Sequence, residues 1–201
     1  MNVTELLKKK LEKTVTRQQA EEAIKVLLAW AGDNPKREGL LDTPKRVIKA
    51  FEEYFSGYLT DPYKDLEKTF GDVEGYDDMV IQKNISIYSH CEHHMAPIVG
   101  VAHVAYIPHE KVVGLSKLAR VVEAYSRRLQ TQERLTMEIA NTIFKGLKAQ
   151  GAAVSIDAVH HCMTSRGIKK HEATTVTNYF TGVFKESHNL QNRFLHYIGQ
   201  K

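Results

Sequence analysis

Two short runs of metal-binding side chains, far apart in the chain, limit how it can fold. The first is Ser89-His90-Cys91-Glu92-His93-His94 and the second is His160-His161-Cys162. Each follows a stretch with strand character, so a fold that unites them must bring two strand ends together. Cys91, His94 and Cys162 then offer two thiolates and an imidazole, the soft donors that zinc prefers. Three such ligands leave a tetrahedral ion one open position, where a water has its pKa lowered to roughly 7. His93 and His160 stand beside the proposed ligands, placed to move protons. The pattern points to zinc-assisted hydrolysis. Cys91-x-x-His94 is weak by itself, and His160-x-Cys162 supplies the third soft ligand it needs. Three alternatives use the same residues: a closed structural site with His93 or His160 as fourth ligand, a disulfide, and two inert core thiols among ordinary strand-end residues.

The chain has 201 residues, 42% hydrophobic and 26% charged, enough for one domain with its own core and a helical extension. Both of its two cysteines are used by the ligand reading. Met1 to Ala20 contains lysines but no continuous apolar stretch, which argues against a secretory signal. No apolar run approaches the ~18 residues of a membrane span. The expected location is the cytoplasm, where thiols stay reduced. A net charge of +4 suits a small polyanionic substrate. RNA-recognition and helix-turn-helix patterns are absent, so nucleic acid is not the expected partner.

The periodicity predicts helices first. Thr16 caps a helix through Ala31, with Ala20, Ile24, Leu27, Leu28 and Ala31 on one face. Thr43-Pro44 opens a second, with Val47, Ile48, Phe51 and Phe55 apolar and Gly57 as its stop. Residues 57 to 77 read as a long loop. Met79, Ile81, Ile85 and Ile87 alternate as a strand, and Ile98 to Ile107 is another. A helix near Ser116 buries Leu118, Val121, Val122 and Tyr125. Thr131 caps the next, with Leu135, Ile139, Ile143 and Leu147 at helical spacing. A third strand, Ala152 to Cys162, places His160 and Cys162 on one face and Asp157 and His161 on the other. A fourth strand spans Glu172 to Phe184, and a short helix runs from about Ser187 to Ile198. Strands in pairs with helices between them predict an α+β class, an antiparallel four-stranded sheet with helices on one face. The expected division is an N-terminal helical region, 1–60, and a catalytic domain, 61–201.

Several polar groups are ambiguous on spacing alone. Lys117 and Arg120 share one face near a helix start, against the macrodipole, and a bound anion would relieve that conflict. A solvated basic patch is the plainer reading there, and for Arg166 and for Arg46-x-x-Lys49. Gln132-Glu133 follows the Thr131 cap, where a carboxylate is stabilised and can accept hydrogen bonds from a guanine edge. Helix capping explains that pair equally well.

Taken together, these blocks resemble GTP cyclohydrolase I from about Glu38 to Ile198. The matching blocks include Leu41-Asp42-Thr43-Pro44-Lys45-Arg46-Val47, Phe55-Ser56-Gly57-Tyr58, the Ser89–His94 run, Val113-Gly114-Leu115-Ser116-Lys117-Leu118-Ala119-Arg120, Arg128 to Thr136, and His161-Cys162-Met163 with Arg166-Gly167. The resemblance implies Cys91, His94 and Cys162 as zinc ligands and His93 and His160 as proton-transfer groups. It implies Gln132 and Glu133 as readers of the guanine ring and Ser116 as a helper in the sugar rearrangement. Lys117, Arg120 and Arg166 become triphosphate contacts, joined by Arg46 and Lys49 from a neighbouring subunit. The implied substrate is GTP and the product 7,8-dihydroneopterin triphosphate. The implied architecture is the tunnelling fold, whose four-stranded sheets join into an oligomeric β-barrel, with two pentamers stacked as a homodecamer. Met163-Thr164-Ser165-Arg166 departs from a pattern in which a bulkier residue often precedes the arginine. The nearest rival is a tunnelling-fold nitrile reductase, which uses a nucleophilic cysteine and a nicotinamide and no catalytic zinc. The residues carry no signal for a regulatory partner.

Overall fold

The computed structural model describes residues 14–71 and 75–199, so most of the segment read above as lacking a secretory signal lies outside the described residues. The first helix, α1 (Arg17–Trp30), opens on a capping box in which Thr16 and Gln19 each bond the other's main chain. Its expected face is only partly covered, and no residue of it is buried. Helix α2 (Thr43–Tyr54) opens on the Thr43-Pro44 pair, as expected, with Asp42 at the cap position and Pro44 in the first turn. Gly57 follows it at a close approach: a Cβ there would lie 2.2 Å from the Ala124 carbonyl oxygen.

The expected long loop holds structure. It contains a short helix, α3 (Pro62–Leu66), capped by Asp61, and a strand, β1 (Thr69–Phe70). β1 pairs with β4 (Val112–Val113) as a two-stranded ribbon. Asp61-Pro62 is the local signal for α3, a cap followed by proline at the first helical position.

The main sheet has order β5-β2-β3-β6-β7. Its four longer strands are β2 (Val80–Cys91), β3 (Pro97–Ile107), β6 (Gly151–His160) and β7 (Thr175–Phe180), each antiparallel to the next. The short β5 (Leu129–Gln130) adds a parallel fifth strand beside His90 and Cys91. Helices α4 (Leu115–Ser126) and α5 (Gln132–Gly146) cover one face. Leu118, Val121, Leu135, Ile139 and Ile143 are fully buried there against Ala102, Val104, Val154 and Ile156. Each such aliphatic side chain contributes about 1.5–3 kcal/mol on burial. This is the α+β sheet-and-helix arrangement expected.

The structure differs from expectation in four further places. The register shifts between Gln82 and Ile85, with Asn84 at φ +57°. That bulge reverses the phase, so Ile81 joins the smaller core with Met79 while Ile85 and Ile87 join the main one. The helices are not confined to one face, because α7 (Val183–Glu186) and α8 (His188–Ile198) bring Phe184 and Phe194 against Ala105, Ile107 and Ala153 on the other. The third strand stops at His160, and His161–Thr164 forms a helical turn, α6. The last pair is Ile98 with His160, and the next residue of β3, Pro97, has no N–H to continue a ladder. The fourth strand ends at Phe180. Gly182 then turns at φ +52°, where a Cβ would meet the Gln150 carbonyl oxygen at 2.1 Å.

Candidate functional site

The β2–β3 connection builds half of the site. Cys91 is buried at the end of β2, and its N–H donates to Ala96 O at 2.8 Å. The N–H groups of His94 and Met95 donate back to Cys91 O, and Met95 takes φ +53° to close the turn. Both Nδ1 atoms of His93 and His94 thereby come to 3.8 Å from Cys91 Sγ. Glu92 clamps the turn from outside: its N–H donates to Gln130 O, and its carboxylate meets Arg134 at 2.9 Å.

The other half arrives with β6 and α6. Cys162 does not reach the site by strand alternation, because it lies one residue into the helical turn. The turn still carries its sulfur inward. The ligand atoms of Cys91, His94 and Cys162 all lie within 4.8 Å of one another. That is close enough for a single ion to touch all three. Two thiols and an imidazole are a donor set that fits zinc, and a fourth tetrahedral place remains for water. Both cysteines are free thiols. Burial and the neighbouring Cys91 push the Cys162 thiol above its ordinary pKa, and Arg166 opposes them.

His160 ends β6, half-buried. Its Nε2 lies 2.7 Å from Gln132 Oε1. The Gln132 amide nitrogen faces three acceptors: Ile156 O, Thr175 O and Thr177 Oγ1, at 3.1, 2.7 and 3.1 Å. Those acceptors fix the amide with its oxygen toward His160, so His160 Nε2 carries the hydrogen and Nδ1 is left as the proton acceptor. Burial holds the imidazole below its usual pKa, with Glu133 opposing. Gln132 is 1% exposed and its side chain is fully engaged within the fold. Glu133, beside it in the first turn of α5, is exposed.

Most of the proposed anion contacts make no bond to this cluster. Lys117 and Arg120 lie in the first turns of α4, near exposed Ser116, and both meet Asp65 of α3. Sequence reasoning missed Asp65 because its segment reads as loop. Arg166 is exposed beyond α6, close enough to act on the Cys162 thiol. Arg46 and Lys49 are exposed on α2, where Arg46 meets Asp42 at 3.6 Å. No hydrogen bond or ion pair joins Ser116, Lys117, Arg120, Arg46 or Lys49 to the cysteine–histidine cluster.

The family model described as GTP cyclohydrolase I matches residues 20–199. The chain belongs to the GTP cyclohydrolase I family. A GTP cyclohydrolase 1 of Pelagibacter ubique (strain HTCC1062) is 68% identical over 188 residues, covering 94% of this chain and 93% of its own. One of Maricaulis maris (strain MCS10) is 57% identical over 180 residues, covering 90% and 88%. Membership makes the protein an enzyme of the GTP cyclohydrolase I type. Two solved structures overlap more distantly. The archaeosine synthase QueF-Like is 16% identical with TM-score 0.43, covering 52% of this chain and 93% of that one. A dihydroneopterin aldolase from Burkholderia thailendensis, bound to guanine, is 14% identical with TM-score 0.37, covering 53% and 91%. At TM-scores of this size the architecture rests on the chain's own elements. No helix among the described residues is long and apolar enough to cross a membrane.

Proposed function

We propose that this GTP cyclohydrolase I is zinc-dependent, with Cys91, His94 and Cys162 as the metal ligands. The observation that carries the reading is the convergence of those three donor atoms within 4.8 Å, with His93 against the same sulfur. Bound zinc supplies a water-derived nucleophile at neutral pH.

The chain's own groups then do the rest. Glu133 reads the N1/N2 edge of guanine from the first turn of α5, with Gln132 supporting the site from behind through His160. Hydrolysis opens the imidazole ring at C8. His160 Nε2 is engaged by Gln132, so Nδ1 is the atom that would take up a proton from the attacking water and pass it to the guanine N7 side. His93, exposed beside the cluster, assists proton movement there. Such general acid–base help is typically worth ~10²–10⁴-fold. The formamide is hydrolysed again with release of formate. Ribose opens and rearranges with help from Ser116, and the skeleton recloses as 7,8-dihydroneopterin triphosphate.

Lys117, Arg120 and Arg166 hold the triphosphate, with Arg46 and Lys49 contributed by a neighbouring subunit in a decamer of stacked pentamers. Neither Arg46 nor Lys49 bonds the cluster within one chain, which supports a site shared between subunits. The reading places the enzyme in the cytoplasm, where both cysteines stay reduced. Purified protein given GTP should release formate and form a fluorescent pteridine, both lost on zinc chelation and restored by zinc. Full turnover in metal-depleted protein overturns the metal assignment.

A further inference from the structure

We propose that Asp65 tunes the enzyme's grip on polyphosphate, standing in for substrate anion between Lys117 and Arg120. The inference rests on the reading of those two cations as triphosphate contacts. Lys117 Nζ and Arg120 Nη1 converge on the same carboxylate oxygen, Asp65 Oδ1, at 3.5 and 3.4 Å. The cations sit where α4 begins. That turn holds no acidic residue, and no side chain caps it. Two positive charges near a helix N-terminus are uncomfortable without an anion. Asp65 is the carboxylate the fold supplies.

Its placement is firm. α3 starts on the Asp61 cap and Pro62, and Leu66, next to Asp65, is 1% exposed in the main core. Its hold on the cations is loose. Charge-assisted N–H···O bonds run about 2.7–2.9 Å, and these are longer. One carboxylate also leaves the pair of cations with a positive charge to spare. A polyphosphate with about four negative charges therefore outcompetes Asp65 for both groups, while the fixed carboxylate still repels it. Asp65 thus lowers affinity for the triphosphate end and eases its release, leaving the guanine end untouched.

The test uses the zinc-loaded full-length enzyme with inorganic tripolyphosphate and guanosine as separate probes. Asp65→Asn keeps the shape and one acceptor for the cations but removes the charge. Tripolyphosphate should bind the variant about three- to tenfold more tightly, with KM for GTP falling in step and guanosine binding unchanged. Asp65→Glu should return affinity toward the parent value, a recovery that a merely structural role would not produce. Where Asp65→Asn lowers thermal stability, Asp65→Ser reads the same sign of effect. Unchanged or weaker tripolyphosphate binding in the charge-removed variants overturns the proposal. Lys117→Ala separates it from the reading beneath it. If that change leaves tripolyphosphate affinity intact, the cations are not triphosphate contacts. If it weakens binding while Asp65→Asn does not strengthen it, only the Asp65 role falls.

Discussion

Replacing Gln132 with alanine should damage stability and catalysis through two separate ends of one side chain. The nitrogen end donates into main-chain carbonyls of β6 and β7, Ile156 O and Thr175 O, and into Thr177 Oγ1. A net hydrogen bond contributes about 1 kcal/mol, and a buried group left unpaired costs about 1–3 kcal/mol. With the small cavity that follows, the loss comes to about 2–4 kcal/mol. For a chain of this size that lowers Tm by about 10 °C. The oxygen end fixes His160 at 2.7 Å. A ring that swings free keeps only part of a ~10²–10⁴-fold acid–base contribution, so kcat should fall ~10–100-fold. Gln132→Glu separates the two ends. It keeps an acceptor for His160 but sets a carboxyl against two carbonyl oxygens, so it should recover more kcat than Tm. Differential scanning fluorimetry and steady-state pteridine assays measure both. An alanine variant that loses Tm yet keeps kcat within about twofold would show that His160 is held by something else.

Three other expectations concern the metal, the base and acid stability. Cys162→Ser should lose zinc and activity together, as read by metal analysis on the same sample that is assayed; activity without zinc is the contrary result. Glu133→Ala should weaken GTP far more than inorganic tripolyphosphate, and equal losses in competition binding would remove Glu133 from guanine recognition. Burial, aided by Arg127 for His90 and by Lys83 for His103, depresses both imidazole pKa values, with Asp157 opposing at His103. The unfolded chain therefore takes up these protons first, and the associated stability is full above about pH 6.5 and lost as pH falls below it. Thermal melts from pH 7.5 to 5.5 should show Tm falling, before the carboxylates titrate; a flat Tm over that range is the contrary result.

Local signals were readable where they are local. Thr16, Pro44 and Thr131 mark helix starts that the structure has, and the spacing of Leu135, Ile139 and Ile143 gives the buried face of α5. The meeting of Cys91, His94 and Cys162 was readable from ligand chemistry, although the route was not. Cys162 arrives on a helical turn, because the strand ends where Pro97 cannot extend the ladder. The bulge at Asn84 was hidden for a different reason. An inserted residue reverses phase without disturbing composition, so Ile81 and Ile85 look like one face and occupy two. The engagement of Gln132 could not be read at all. Two of its partners are main-chain carbonyls, which every residue carries, and only the packing of α5 across β6 and β7 selects them.

The single chain holds the chemical half of the site more completely than the binding half. The donor atoms of the proposed metal site come from the end of β2, the turn after it and the α6 turn beyond β6, all within one subunit. The cations are another matter. Arg46 and Lys49 project from α2 without a bond to the cluster, and Lys117 and Arg120 share the single carboxylate of Asp65. Meanwhile Val26, Leu27 and Trp30 of α1 are 67, 56 and 85% exposed, an apolar strip that water covers poorly. Among the described residues, β5 borders β2 only at His90 and Cys91, and no strand borders the outer side of β7. Open edges of this kind invite further strands. The proposed ring closes those edges, and stacking covers apolar surface. On the proposed reading a neighbouring subunit also brings Arg46 and Lys49 toward a donor cluster that each chain assembles by itself. On this argument the proposed zinc affinity belongs to the subunit, and full triphosphate affinity needs the assembly.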